Sequence, residues 1–149
     1  MEFFVFSDEH YMKEALKEAQ KALEMDEVPV GAVVVVDNYI IARAHNLTER
    51  LMDVTAHAEM QAITAAANHI GGKYLSDCTL YVTIEPCLMC ATAMHWAQLG
   101  KLVFGAHDPK KGYSGYGKNI LHPQTEVVHG LKQEQCAELM AMFFKGKRS

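Results

Sequence analysis

The sequence contains little of what marks three common protein classes. Its 149 residues include no apolar run of about 20 residues, the length that a helix needs to cross a bilayer. The four cysteines are too few for a disulfide scaffold in a chain of this length. The apolar segment 3–6 is too short for a signal peptide and is followed by acidic residues. We therefore expect a soluble, cytoplasmic protein with no membrane partner.

Positive charge is also scarce, with 14 Lys and Arg against 18 Asp and Glu and a net charge of −4. This balance argues against a broadly basic nucleic-acid binder. Two short basic clusters remain, which comprise Lys110, Lys111 and Lys118 in the first and Lys145, Lys147 and Arg148 in the second. They are compatible with a local basic patch and equally with ordinary solvated surface. Repeats, low-complexity stretches and linkers are missing too, so we expect one domain over residues 1–149.

Hydrophobic periodicity predicts four helices and five strands. Ser7 is a suitable N-cap for the first helix, and Phe6 and Tyr11 have the spacing of a hydrophobic staple. The helices are expected over residues 8–25, 55–70, 86–99 and 132–145, and the strands over 33–36, 39–44, 78–84, 101–105 and 126–129. The third strand, third helix and fourth strand form a βαβ unit, so these two strands should be parallel. Sites in such sheets lie at the carboxyl ends of strands.

At that end of the third strand lies the stretch Glu85-Pro86-Cys87-Leu88-Met89-Cys90. Pro86 suits the first position of a helix, where its missing N–H is no loss. Cys87 and Cys90 are three residues apart, so both sulfurs can face one point at the helix start. The positive end of the helix dipole favours thiolates there, and thiolate is the form that binds metal. The stretch therefore predicts two ligands of a zinc ion.

A third ligand is expected from Thr55-Ala56-His57-Ala58-Glu59, in which His57 offers an imidazole nitrogen and Glu59 an acid–base carboxylate. Residues two apart on a helix body diverge, so both reach one site only if it lies beyond the helix end. With Thr55 as the N-cap, both fall in the first turn, where that geometry is possible. The apolar stripe of this helix is then expected to comprise Met60, Ile63, Ala67 and Ile70.

Two other interpretations of the cysteine pair are open on the residues alone. A thioredoxin-like redox pair also heads a helix after a strand, but it leaves His57 and Glu59 without a role. A closed structural zinc site needs a fourth protein ligand, and the remaining Cys78 and Cys136 sit at apolar-patterned positions. Three protein ligands and an open fourth position fit best, and they indicate catalysis. Zinc-activated water and a proton-transferring carboxylate are suited to hydrolytic deamination of an amino-purine or amino-pyrimidine.

Taken together, these segments match the H-x-E…P-C-x-x-C signature of zinc deaminases. The chain resembles the cytidine-deaminase-like zinc enzymes and, among them, most closely the bacterial tRNA-specific adenosine deaminases. Val28-Pro29-Val30-Gly31-Ala32 and Phe104-Gly105-Ala106 are more particular to the tRNA enzymes. The other matching segments are His45-Asn46, Thr79-Leu80-Tyr81-Val82-Thr83, Asp108-Pro109-Lys110, Glu134-Gln135-Cys136 and Phe143-Phe144.

The resemblance implies a three-layer α/β/α cytidine-deaminase-like fold, with a five-stranded mixed sheet and helices on both faces. It implies a homodimer with one Zn²⁺ per subunit on His57, Cys87 and Cys90, and Glu59 as the catalytic proton shuttle. The implied reaction converts adenosine to inosine at the wobble position of a tRNA anticodon loop.

The resemblance also assigns the substrate contacts. It implies that Asn46 hydrogen-bonds the flipped base and that Val30 and Ala58 line the base pocket. Asp108 and its loop would contact the neighbouring nucleotides. We expect this glycine-rich loop, residues 106–117, to be a mobile surface segment near the site.

The chain departs from the family pattern at three places. Val54 stands where proline is frequent, Thr92 where glycine is frequent, and segment 113–124 is shortened and altered. Tyr113 and Tyr116 in this segment are candidates to stack on bases, or they are ordinary loop aromatics. Because this segment helps relatives to hold RNA, a deaminase of free guanine or cytosine is the alternative substrate assignment. A zinc-stabilised binding module without turnover is a further alternative.

Overall fold

The computed structural model of the protein describes residues 5–147. Within this range the chain forms one five-stranded mixed sheet and four α-helices, which confirms the predicted fold class. The elements in chain order are α1 (Asp8–Glu24), β1 (Gly31–Val36), β2 (Tyr39–His45), α2 (Ala58–Ile70), β3 (Thr79–Ile84), α3 (Leu88–Trp96), β4 (Lys101–Ala106), a 3₁₀ turn (Tyr113–Tyr116), β5 (Glu126–His129) and α4 (Gln133–Lys147). None of the helices between residues 5 and 147 has the length and apolar character that a membrane span requires.

The sheet has the strand order β2-β1-β3-β4-β5. β1 runs antiparallel to β2 and to β3, whereas β3, β4 and β5 are parallel, which confirms the predicted βαβ unit. Asp37 and Asn38 join β1 to β2 with φ values of 50° and 66°, as a two-residue hairpin turn requires. In this topology the start of β1 and the carboxyl ends of β2, β3 and β4 lie at the same end of the sheet. The residues that follow these ends are therefore brought together.

Helices cover both faces of the sheet. α2 and α3 pack on the face that carries Leu80, Val82 and Phe104, and α1 and α4 pack on the face that carries Tyr81 and Val103. Successive strand residues point to opposite faces, so burial on both sides explains the uninterrupted apolar runs of these strands. The result is the three-layer arrangement that the resemblance implies.

α1 begins as predicted and packs very closely on β1. Ser7 is its N-cap and accepts a hydrogen bond from the backbone N of His10, and the rings of Phe6 and Tyr11 lie 5.9 Å apart between centroids. A Cβ atom on Gly31 would overlap the backbone carbonyl oxygen of Ala15. Only glycine permits this contact between helix and strand.

The starts of α2 and α3 differ from the predictions. α2 begins at Ala58, with His57 rather than Thr55 as its N-cap. The backbone N and the hydroxyl of Thr55 donate instead to the Asp53 carboxylate at 2.8 and 2.7 Å, in the turn that precedes the helix. α3 begins at Leu88 with Cys87 as its N-cap, so Pro86 precedes the helix and is not its first residue.

The buried face of α2 also differs from the predicted apolar stripe. The fully buried apolar residues are Ala58, Ala62 and Ala66, whereas the larger predicted residues are half-buried or, like Ile70, 43% exposed. Small side chains let the helix approach the sheet, and the larger ones pack around its margins. Gly71 ends the helix at φ 78°, as predicted.

Candidate active site

The first turns of α2 and α3 meet at this end of the sheet, where β2, β3 and β4 end. His57 and Cys87 are the N-caps of the two helices, both with extended backbone and neither with a side-chain capping hydrogen bond. Their side chains therefore project beyond the helix ends and face a common point. Cys90 and Glu59 approach the same point from within the first turns.

The ligand atoms of the three predicted residues are spaced closely enough for one ion to bond to all of them. His57 Nδ1 is 3.6 Å from Cys87 Sγ and 3.5 Å from Cys90 Sγ, and the three ligand atoms all lie within 4.8 Å of one another. Zinc bonds of about 2.3 Å to sulfur and 2.0–2.1 Å to nitrogen, at a tetrahedral angle, separate such atoms by about 3.5 Å. Among the described residues this is the one group of three or more such side chains with that proximity. The donor set and spacing fit a zinc ion.

The two thiols of the pair differ in their pKa. The hydrogen bond from Cys90 lowers the pKa of the Cys87 thiol to about 4 in spite of its burial. That same hydrogen bond, together with burial, raises the pKa of Cys90. The hydrogen bond to Cys87 raises the pKa of His57. The protein atoms alone therefore stabilise one thiolate, and a divalent metal, when bound, would stabilise the second as well.

Glu59 is a buried carboxyl beside the ligands that does not belong to the ligand group. Only 4% of the surface of Glu59 is exposed to solvent, and this burial raises the pKa of its carboxyl group to about 7. A carboxyl with a pKa near neutrality is able both to accept and to release a proton at physiological pH. The position of Glu59 therefore suits a general acid–base group.

A cavity of about 1030 Å³ opens over this centre. The predicted site residues that line it are Val30, Asn46, His57, Ala58, Glu59, Cys87 and Asp108, and Cys90 is fully buried beside Cys87. The side chain of Asn46 is anchored in this wall, where its amide nitrogen donates to Thr48 Oγ1 at 3.3 Å. All the predicted site residues thus lie around a single cavity.

One wall of the cavity was not predicted from the sequence. It is formed by α4, through Met140, Ala141, Phe144 and Lys145, and Lys110 and Lys111 also line the cavity. Three lysines from the two basic clusters therefore converge on this cavity. Met140 is half-buried, and Phe144 is 45% exposed. The pair Phe143-Phe144, which contributes to the resemblance, was the one sequence signal for this wall.

The loop before His57 is held by a buried carboxylate. Glu27 is 1% exposed and accepts hydrogen bonds from the backbone N atoms of Glu49 and Arg50 at 3.0 and 2.7 Å. The side-chain amide of Gln61, on α2, donates to the carbonyl oxygens of His45 and Ala56. These contacts tie the end of β2 to the start of α2, so Asn46 and His57 are held on the same wall.

The loop 106–117 lies beside the site as predicted, but it is tied to the start of α3. The backbone N of Tyr113 donates to the carbonyl oxygen of Pro86 at 2.9 Å, and Gly112 pairs with Cys87 in an isolated β-bridge. Tyr113 is half-buried with its ring edge-on to Phe104, so it packs in the core instead of presenting a stacking surface. Tyr116 is 59% exposed.

Comparisons with known proteins agree with this centre. A family model of MafB19-like deaminases matches residues 6–148. This chain belongs to that deaminase family. The tRNA-specific adenosine deaminase of Bacillus subtilis (strain 168) is 50% identical over 146 residues, which are 95% of this chain and 91% of that protein. The predicted relationship to the cytidine-deaminase-like zinc enzymes is confirmed.

Two solved structures extend the comparison. One comes from a study of A-to-I editing by tRNA deaminases at the wobble position of transfer RNA; it is 43% identical with a TM-score of 0.81, covering 87% of this chain and 98% of that one. The other is a guanine deaminase from Bacillus subtilis, 36% identical with a TM-score of 0.66, covering 68% of this chain and 66% of that one. This chain is thus similar both to proteins named for an RNA substrate and to one named for a free base.

Proposed function

We propose that this deaminase is a zinc-dependent hydrolase that converts adenosine to inosine at the wobble position of a tRNA anticodon. The observation that carries this proposal is the geometry of the centre. His57 Nδ1 and the two cysteine sulfurs lie within 4.8 Å of one another, and the buried Glu59 stands beside them without belonging to the ligand group. Three protein ligands leave a tetrahedral zinc one position for water or substrate.

Each residue has a defined task in the proposed reaction. When bound, zinc supplies a water-derived nucleophile at neutral pH. Glu59 takes one proton from the attacking water and delivers it to a ring nitrogen, and it then transfers the proton of the added hydroxyl group to the departing amino group, so that adenosine and water give inosine and ammonia. The Asn46 amide hydrogen-bonds the extruded base, and Val30 and Ala58 provide the apolar walls that orient it.

The surroundings of the centre favour an RNA substrate. The cavity of about 1030 Å³ lies at the upper end of the range for small-ligand sites, so it has room for nucleotides beside the reacting base. Lys110, Lys111 and Lys145 line it in a chain whose net charge is −4, and they are placed to contact phosphates. The exposed ring of Phe144 offers a surface for base stacking. Asp108 also lines this cavity and would contact a nucleotide next to the adenosine that reacts.

The free-base alternative is supported by the resemblance to the guanine deaminase. That resemblance is weaker, since 36% identity over 68% of this chain compares with 50% over 95% for the tRNA-specific enzyme of Bacillus subtilis. A free base would also leave the lysines and Phe144 without a ligand. We therefore prefer the RNA substrate.

The test uses zinc-loaded protein and two anticodon stem-loops that differ only in the wobble base, adenosine or guanosine. Inosine is measured by nuclease digestion and chromatography, and ammonia release is measured with adenosine, guanine, cytosine and cytidine in parallel. We expect inosine from the adenosine stem-loop alone. Absence of inosine at full zinc occupancy contradicts the proposal, and ammonia from guanine or cytosine favours the free-base enzyme.

We further propose that the enzyme acts in the cytoplasm as a homodimer of single-domain subunits. The exposed fractions of Met52, Val54 and Trp96 are 92%, 83% and 79%. Met52 and Val54 lie in the loop before His57, and Trp96 ends α3. Contiguous exposed apolar patches mark protein interfaces, and we propose that these side chains belong to such a patch, which a second copy of this chain covers.

A further inference from the structure

A further buried carboxylate, that of Glu85, lies between the start of α3 and the loop that carries Asp108. It follows the last residue of β3, and its backbone N donates to the carbonyl oxygen of Ala106 at the end of β4. Its side chain is only 1% exposed. Neither the signature nor the proposed reaction gives this carboxylate a task, although it stands two residues from Cys87.

Both oxygens of Glu85 are engaged with the loop. Oε1 accepts from His107 Nδ1 at 3.2 Å and from the backbone N of Asp108 at 3.1 Å. Oε2 accepts from the backbone N and the hydroxyl of Ser114 at 3.0 and 2.6 Å. A carboxylate has about four lone-pair positions, so these donors saturate it. No acceptor position is left for a proton from substrate or water.

The donors belong to the two ends of one loop, residues 107–114. Within it, the Asp108 carboxylate accepts from the backbone N atoms of Lys110 and Lys111, which closes a tight turn. The backbone at Gly112 passes directly over Glu85, since a Cβ atom there would overlap the carboxylate. The loop is therefore folded around Glu85 as its centre.

We propose that Glu85 is a positioning residue that holds Asp108, Lys110 and Lys111 at the cavity mouth for contact with the substrate. It acts through the loop, because both of its carboxylate oxygens are engaged by loop donors. The loop function is independent of the substrate identity, whereas the expected effect on substrate binding depends on the proposed RNA deaminase activity. Two measurements separate these parts.

The first measurement is limited trypsin digestion of folded, zinc-loaded protein, with fragments identified by mass spectrometry. In Glu85→Gln the amide NH₂ faces donors in place of one oxygen, so two loop donors lose their acceptor. We expect cleavage after Lys110 and Lys111 to accelerate by at least about tenfold. Glu27→Gln is the matched control, because Glu27 holds the backbone of Arg50 in the other loop. It should accelerate cleavage after Arg50 and leave the sites at 110 and 111 unchanged.

The second measurement is steady-state deamination of the adenosine stem-loop. We expect Glu85→Gln to retain wild-type zinc content, to raise KM about 10- to 100-fold and to change kcat by less than about threefold. A loss of kcat at unchanged KM would assign Glu85 to proton transfer and overturn the proposal. Wild-type cleavage after Lys110 and Lys111, or equal acceleration at both loops in each variant, would also overturn it.

Ser114→Ala provides a variant that leaves the core intact, because Ser114 is exposed and loses only its hydroxyl. We expect faster proteolysis and a higher KM here too, but with smaller effects, the KM being raised roughly fivefold. Wild-type KM and wild-type proteolysis in this variant contradict the proposal even if Glu85→Gln does not fold. If the wild-type protein makes no inosine, the RNA activity fails while the digestion still tests the loop function of Glu85.

Discussion

His57 and Cys87 occupy the same position on two different helices. Each is an N-cap with extended backbone, and His57 Nδ1 lies 3.6 Å from Cys87 Sγ. The centre is therefore built where two helix N-termini converge, and the partial positive charge of both termini favours the thiolates and the Glu59 carboxylate. This placement explains how His57 and Glu59, two residues apart, reach one point. The His-x-Glu spacing works because His57 is outside the helix and Glu59 is inside it.

Removal of one ligand should release the metal without unfolding the chain. We expect Cys90→Ala to purify with little zinc and no deaminase activity, because two remaining ligands hold zinc weakly. Cys78→Ala is the matched control, since Cys78 is also buried but lies outside the ligand group, and it should keep about one zinc per chain. Zinc is measured by mass spectrometry of the metal and folding by circular dichroism. Full zinc occupancy in Cys90→Ala would contradict the ligand assignment.

Glu59 should be needed for turnover and not for metal binding. We expect Glu59→Gln to keep its zinc and to lose about 10²- to 10⁴-fold in kcat, which is the usual contribution of a general acid–base group. Glu134→Gln, at an exposed position in the first turn of α4, serves as the control and should retain wild-type activity. A Glu59→Gln enzyme with wild-type turnover would instead support a non-catalytic role for the carboxylate.

The existence and type of the helices and strands could be predicted from the sequence, but the exact start of α2 could not. Thr55 and His57 are both followed by helical periodicity, and threonine is the better N-cap by propensity. The Asp53 carboxylate engages Thr55 in the preceding turn, so the helix starts at Ala58. Propensity is a local preference, and here a neighbouring hydrogen bond outweighs it.

The buried face of α2 and the cavity wall on α4 were missed for tertiary reasons. A search for hydrophobic periodicity gives most weight to large apolar side chains. It therefore selected Met60 and Ile63 for the buried face of α2, instead of Ala62 and Ala66. Phe144 faces a cavity that exists only after α4 packs beside β4, and the Phe143-Phe144 pair indicated the family resemblance but not this position. Glu85 stood inside the recognised motif, yet its task depends on a loop more than 20 residues away in sequence.

Gly31 should tolerate no side chain. An added Cβ would overlap the backbone of Ala15 and Ala19 on α1, and that helix cannot shift without disturbing its packing against the sheet. We expect Gly31→Ala to lower the free energy of unfolding by about 1–3 kcal/mol, measured by urea titration. Gly72→Ala is the control, because nothing lies within 4 Å of an added Cβ there. A neutral Gly31→Ala would contradict the close approach of α1.

A charge on the exposed apolar surface should prevent dimer formation. We expect Trp96→Glu and Val54→Glu to weaken self-association at least about tenfold, because a charge in an interface core is not solvated. Tyr39→Glu, 74% exposed at the β1–β2 hairpin, is the control. Sedimentation velocity gives the mass of each variant. A wild-type protein that is monomeric at micromolar concentration, or a Trp96→Glu dimer of unchanged affinity, would contradict the proposal.

Stability should fall at acidic pH because of Glu14. The hydrogen bond from Lys17, with a second from Arg43, lowers the pKa of Glu14 to about 2 against the opposing effect of its burial. The unfolded chain takes up this proton near its ordinary pKa of 4.5. The stabilisation is therefore complete above about pH 4.5 and is lost progressively as the pH falls to about 2.

The size of the effect is limited by the partners of Glu14. A pKa difference of this size corresponds to about 3 kcal/mol, but Lys17 and Arg43 are 59% and 40% exposed, so screening reduces the expected contribution to about 1–2 kcal/mol. Glu14→Gln should lower the free energy of unfolding by that amount at pH 7, and the difference from wild type should vanish near pH 2. The exposed Glu9, in Glu9→Gln, should change stability by less than about 0.5 kcal/mol. If denaturation curves of Glu14→Gln and wild type run parallel from pH 7 to pH 2, the ion pair does not cause the acid sensitivity.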